Sequence, residues 1–302
     1  MYQLNAPVVF VIFNRPDKAA ITFEAIAKAK PKKLLVIADG ARSHVVGEYE
    51  RCQETRAIID RVDWECEVLK NFSEVNLGCK MRLATGLDWV FQMVPEAIIL
   101  EDDCLPAPEF FQFCDELLEH YRFDEHVGMI SGCNFQEGIK RGGADYYFSQ
   151  FCHIWGWATW ARAWQKYDVQ IAAWPQLQST GWLKDLGLTK SEQKHWEKSF
   201  NKVHSQGLDT WDHQWTFACW KNKMISAMPN INLISNIGFG EGATHTQGRS
   251  IFSNIPTGSL RFPLIHPNQV ELDIEADRFT AKHQFTDSYL WKIYRKLRAY
   301  LR

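Results

Sequence analysis

Three apolar runs, spaced by helix-length stretches, constrain this chain more than any other feature. They are Val8-Val9-Phe10-Val11-Ile12-Phe13, Leu34-Leu35-Val36-Ile37-Ala38 and Ala97-Ile98-Ile99-Leu100. A half-exposed strand alternates polar and apolar residues, whereas an unbroken β-branched and aromatic run reads as a strand buried on both faces. Asn14-Arg15-Pro16-Asp17 ends the first run and opens a helix, with Pro16 in its first turn. Ala20, Phe23 and Ala27 then recur at helical spacing. Residues 48 to 61 read as a second helix and Glu65 to Leu69 as a third strand. Asn76-Leu77-Gly78 leads into a helix with Leu83, Leu87 and Val90 on one stripe. The order βαβαβαβ predicts a mostly parallel sheet with helices on both faces. Ligands of such sheets bind beyond the carboxyl ends of the strands.

That rule collects the polar residues that punctuate the strands. Arg15 follows the first strand, Asp39 the second, and Glu101-Asp102-Asp103 the last. Three carboxylates at the mouth of a buried strand repel one another. A hard cation such as Mg²⁺ or Mn²⁺ relieves that repulsion, and such ions bind through one or two carboxylates plus substrate phosphates. A solvated acidic turn explains the three acids alone equally well. Pro106 discourages further strand. Neither Gly-x-Gly-x-x-Gly nor Gly-x-x-x-x-Gly-Lys-Ser/Thr occurs, so a bound nucleotide would need side chains and metal to hold its phosphates.

The second half is less regular. Glu109 to Tyr121 predicts an amphipathic helix and Val127 to Ser131 a strand, while 141 to 152 is ambiguous. Thr189-x-x-Glu192 reads as a capping box and Gly207 as the matching stop. Asp209 is expected to cap a helix from Thr210 to Asn222, with Trp211, Trp215 and Cys219 along one side. Gly238 to Gly248 is a glycine-rich loop containing Thr244 and His245. Glu137, Lys140 and Arg141 read as a solvated loop, and His44, His120 and His126 show no ligand spacing. From Ser288 to Arg302, five basic residues and no acid accompany an apolar stripe of Leu290, Ile293, Tyr294, Leu297 and Leu301. A basic amphipathic helix of that kind either docks on its own protein or lies on an anionic membrane surface.

Composition narrows the classes. A net charge of −2 gives no support for nucleic-acid binding. The eight Cys residues include no Cys-x-x-Cys pair, so a zinc site is not expected. The N-terminal residues lack a signal-peptide pattern, and no stretch reaches membrane-spanning length. Reduced thiols in a cytoplasmic protein are the expected state, with peripheral contact at the inner face of the membrane through the C-terminal helix as a candidate.

Together these residues resemble the metal-dependent GT-A glycosyltransferases, most of all the N-acetylglucosaminyltransferase I type, which carries Glu-Asp-Asp where many relatives carry Asp-x-Asp. The likeness runs in order from residue 7 to about 250: Phe13-Asn14-Arg15, Ala38-Asp39-Gly40, Lys80-Met81-Arg82-Leu83-Ala84, Glu101-Asp102-Asp103, His153-Ile154-Trp155-Gly156-Trp157, Trp211-Asp212-His213-Gln214-Trp215 and Gly242-Ala243-Thr244-His245. It looks closer to bacterial transferases of surface glycans than to the eukaryotic Golgi enzyme. Two positions depart from the pattern: Lys80 stands for a His, and His213 for a second Asp.

The resemblance implies a GT-A, Rossmann-like fold. Residues 1–105 would form its nucleotide-sugar half, 106–258 its acceptor-side and catalytic-base half, and 259–302 a C-terminal extension bearing the basic helix. It implies a nucleotide-sugar donor such as a UDP-sugar, a glycan or lipid-linked glycan acceptor, and Mn²⁺ or Mg²⁺. Asp103 becomes the direct metal ligand, with His245 a second candidate. Arg15, Asp39 (toward uracil), Lys80, Asp102 (ribose or water), Glu101 (donor sugar) and Thr244 become the donor contacts. In an extended strand Glu101 and Asp103 point one way and Asp102 the other, which allows this division. Asp212 becomes the general base, ionised at the start of a helix where the dipole favours negative charge, and flanking Trp211 and Trp215 suit packing against sugar faces. Direct attack assisted by one base implies inversion at the anomeric carbon. Trp155 and Trp157 fit either a sugar pocket or the core. The alternatives are a sugar nucleotidyltransferase, which typically has a Gly-rich basic loop after its first strand, and a noncatalytic glycan-binding protein with a transferase-like fold.

Overall fold

The computed structural model describes residues 2–239 and 251–285. In chain order the elements are β1 (Val8–Ile12), α1 (Pro16–Ala29), β2 (Lys33–Ala38), α2 (Glu48–Ala57), β3 (Glu67–Phe72), α3 (Gly78–Met93), β4 (Glu96–Glu101), β5 (Cys104–Pro106), α4 (Pro108–His120), β6 (Val127–Ser131) and β7 (Tyr146–Ser149). They continue with β8 (Trp157–Trp160), α5 (Ala161–Trp164), α6 (Trp174–Thr180), α7 (Trp182–Asp185), α8 (Lys190–His204), α9 (Asp212–Lys221), β9 (Ile225–Pro229), β10 (Ile234–Asn236) and α10 (Ile274–Thr280). The chain is mixed α/β, with one large sheet flanked by helices.

Eight strands form that sheet in the order β3-β2-β1-β4-β8-β6-β9-β7. The first four are parallel, so their carboxyl ends share one edge. β8 runs antiparallel to β4 and β6, which gives the second half its mixed character. β10 and β5 form a separate antiparallel pair.

The unbroken apolar runs are explained by burial on both faces. Along β1, Val8, Phe10 and Ile12 pack on one face with Phe23 and Ile26 of α1 and Phe110 and Leu117 of α4. Val9 and Val11 pack on the other with Leu83, Leu87 and Val90 of α3 and with Trp157, Trp211 and Trp215. Successive side chains of a strand face opposite ways, so each layer takes every second residue.

Several expectations shift. The third strand starts two residues later than read and reaches Phe72, because its outer edge is unpaired and its residues are half-exposed. Pro106 does not end the strand signal: it closes β5, opposite Ile234. The capping box at Thr189 and Glu192 is formed. All eight cysteines are free thiols. Arg141 is not solvated; its Nε donates to Gln136 Oε1 at 2.9 Å and its guanidinium lies over the Phe279 ring. No helix among the described residues is long and apolar enough to cross a membrane. The basic segment 288–302 lies outside the described residues.

α10 docks through a buried carboxylate. Ser149 Oγ and Gln150 N–H both donate to Asp277. Burial nevertheless pushes the Asp277 carboxyl up to about 7. A carboxyl raised on folding contributes stability that is fully present below its unfolded pKa and is lost as pH rises through the folded one. Stability is therefore expected to fall between about pH 4 and pH 7 through this group, and Asp277→Asn to flatten that slope. Urea unfolding midpoints of both proteins across that range check this; parallel profiles would refute it.

Candidate active site

A cavity of about 370 Å³ opens at the carboxyl ends of β1, β2 and β4. Arg15, Asp39, Glu101, Asp102, Asp103 and Asp212 all line it. The topology produces this convergence: three parallel strands deliver the first five residues to one edge, and α9 brings Asp212 from more than a hundred residues away. Lys80 is not among the lining residues, whereas Arg82, two positions on, is. Thr244 and His245 lie outside the described residues.

The acidic triplet divides at the end of β4. Asp102 turns inward, where it accepts from Phe13 N–H at 3.3 Å and is ion-paired with Arg15. Arg15 Nη1 also reaches Asp103 Oδ2 at 3.0 Å. Arg15 thus spends its guanidinium on two carboxylates of the cluster. One guanidinium cannot balance three acids. Burial pushes the Glu101 carboxyl up to about 8, with the charges of Asp103 and Asp102 adding to the shift.

This imbalance is the test of a cation's fit. Among the described residues no three His, Cys, Asp or Glu side chains form a protein-only metal cage. The donor set is instead one of hard oxygens facing a cavity, with excess negative charge, which suits a cation completed by ligand oxygens.

The backbone around Asp103 is tightly set. Ile237 N–H donates to its carbonyl at 2.8 Å. A Cβ on Gly238 would lie 2.0 Å from Asp103 Oδ2. Gly238→Ala is therefore expected to displace that carboxylate and, as an overpacked substitution, to destabilise the protein by about 1–3 kcal/mol. Urea unfolding against the parent protein checks this, and equal stability would count against it.

Asp39 and Asp209 share the start of α3. Asp39 accepts from Gly40 and Leu77 N–H at 2.9 Å and from Gly78 N–H at 3.0 Å. Asn76 Nδ2 adds a fourth donor at 3.1 Å. Burial pushes the Asp39 carboxyl above the usual range against the pull of these donors. Asp209 does not cap α9 as its spacing suggests. Its carboxylate accepts from Cys79 N–H at 3.1 Å and Lys80 N–H at 2.9 Å, satisfying the next two free donors of α3. Gly78, at φ +77°, leaves room for it.

Asp212 is the first residue of α9 and its side chain is about one-third exposed. The Thr210 hydroxyl donates to its Oδ1, and His213 Nδ1 lies 3.8 Å from the same oxygen. The tryptophans beside it do not present faces to a sugar. Trp215 is fully buried, and Trp211, 2% exposed, stacks on buried Trp157 at 5.4 Å. Trp155 differs from Trp157 by lining the cavity.

Sequence reading missed Arg42 and Asn236, which also line the cavity. Arg42 is pinned by fully buried Glu48, its Nη2 2.5 Å from Oε1. That hydrogen bond holds the Glu48 carboxyl at about 2. Nothing in the local sequence marks either residue, because each depends on contacts made after folding.

No protein-family profile matches the chain, and no curated protein matches it. Solved structures do resemble it, at low identity. Mouse xyloside xylosyltransferase 1 is 10% identical, with a TM-score of 0.36 over 72% of this chain and 81% of that one. A UDP-glucose pyrophosphorylase complexed with UDP-glucose is 7% identical, with a TM-score of 0.38 over 74% and 90%. A cytidylyltransferase from Leptospira borgpetersenii serovar Hardjo-bovis is 8% identical, with a TM-score of 0.34; the match spans 54% of this chain and 63% of that one.

Proposed function

We propose that the protein is an inverting, metal-dependent GT-A glycosyltransferase of the N-acetylglucosaminyltransferase I type, moving a sugar from a nucleotide-diphosphate donor to a hydroxyl of a glycan or lipid-linked glycan. One observation carries the reading: Glu101, Asp103 and Asp212, far apart in sequence, line a single cavity at the carboxyl ends of parallel strands. The residues divide the work. Asp103 would hold Mn²⁺ or Mg²⁺, with Glu101 turned to the donor sugar. When bound, that ion neutralises the charge developing on a departing diphosphate. Arg15 holds Asp102 and Asp103 in place. Asp212 lines the same cavity and would take the proton of an attacking hydroxyl.

Screening nucleotide sugars for Mn²⁺-dependent turnover tests this. Release of a nucleoside diphosphate with sugar transfer is the expected result. Pyrophosphate release from a nucleoside triphosphate and a sugar phosphate would replace this reading with a sugar nucleotidyltransferase. The short turn Phe13-Asn14-Arg15 between β1 and α1 has no Gly-rich loop of the kind that rival typically uses.

A further inference from the structure

We infer that Asn236 binds the ligand of this cavity, its side-chain Nδ2 donating to a phosphate oxygen of the nucleotide. The ligand's identity rests on the function proposed above; the donor and its direction rest on geometry.

Asn236 ends β10 and pairs with Cys104, the residue after Asp103. Ile237 N–H, one position on, bonds the Asp103 carbonyl. The β5–β10 pair therefore fixes Asn236 beside the acidic cluster whether or not a ligand is present. The residue is 5% exposed and lines the cavity.

The amide's orientation is settled by its neighbour. Gly238 N–H donates to Asn236 Oδ1 at 2.9 Å. An N–H cannot pair with an NH₂, so the oxygen must face Gly238 and the nitrogen must face away. The backbone carbonyl of Asn236 is occupied as well, accepting from Asn254 N–H at 3.0 Å. No hydrogen bond among the described residues takes Nδ2. With Oδ1 held by Gly238 and the residue lining the cavity, Nδ2 is left open on the cavity side, a pre-oriented donor available to an acceptor bound there.

The surrounding charge selects the acceptor. A cation cannot pair with NH₂. An anionic oxygen can, and forms the stronger bond. An anion beside Glu101, Asp102 and Asp103 needs donors, yet Arg15 is already committed to two of those acids. Asn236 supplies a donor without adding charge that would disturb the cluster.

Two variants are read together. Asn236→Asp keeps the oxygen that Gly238 needs and the same shape, but turns the free donor into an acceptor and adds a negative charge. Asn236→Ala removes both groups, and so the donor, with no change of charge. Binding of UDP with Mn²⁺, and of uridine, which lacks phosphate, is measured by calorimetry and by ligand-observed NMR. UDP affinity is expected to fall at least about tenfold in both variants, the scale of one hydrogen bond to a charged group, while uridine affinity stays unchanged. Either variant binding UDP as tightly as wild type overturns the inference, and a loss confined to Asn236→Asp does so too, because it reports the added charge rather than the missing donor. Equal losses for UDP and uridine overturn it too, since they report general damage to the cavity. A wild-type protein that binds no UDP overturns the parent reading and this inference with it, a result distinct from the other two.

Discussion

Asp212→Asn is expected to abolish sugar transfer while leaving donor binding intact. The amide keeps an oxygen for the Thr210 hydroxyl and keeps the shape of the first turn of α9, so the cavity wall is preserved. What disappears is the capacity to accept a proton. A positioned general base contributes roughly 10²–10⁴ in rate, and a loss of that size is expected in kcat with little change in the donor dissociation constant. The contrast between kcat and binding separates this role from simple helix capping, which would lower stability and affect both together. Normal turnover by the variant removes Asp212 from the mechanism.

Asp103→Ala is expected to fail earlier, at binding. Arg15 retains Asp102 as a partner, so the substitution does not strand a buried guanidinium. Outer-shell partners of metal ligands typically cost 10–100-fold in metal affinity when removed, and a direct ligand is expected to cost at least about 100-fold. Calorimetric titration of UDP with Mn²⁺ and with a chelator measures this. Wild type should bind markedly tighter with Mn²⁺, and Asp103→Ala should bind equally weakly in both. A variant that retains the Mn²⁺ enhancement would place the cation elsewhere.

These two acids show how far sequence carries. β1, β2 and β4 were legible because the middle of each is buried on both faces and is therefore an unbroken apolar run, with polar residues confined to the ends. Their carboxyl ends then located Arg15, Asp39 and the acidic triplet. The edge strand β3 was misplaced because half-exposed positions give no sharp signal. β5 and β10 were invisible, being three residues each and ending in Pro106 and Asn236. Asn236 was lost with them. Asp209 illustrates a different failure. Its spacing before α9 satisfies a local capping rule, yet its partners are 130 and 129 residues away. The tryptophans failed for a third reason: a Trp beside an acid looks the same in sequence whether it stacks on a sugar or on Trp157.

The double capping of α3 also joins contacts of very different sequence separation. Asp39 is close enough in the chain to reach Leu77 and Gly78 as soon as the first parallel strands assemble. The amides of Cys79 and Lys80 must wait for residue 209, which arrives only after a loop of some 130 residues has closed. Closing a loop that long carries a larger entropic cost than closing the shorter one to Asp39. The first turn of α3 is thus tied to both halves of the chain: two of its amides are held by the neighbouring Asp39 and two by an acid some 130 residues away, so loosening the far half would release only the second pair.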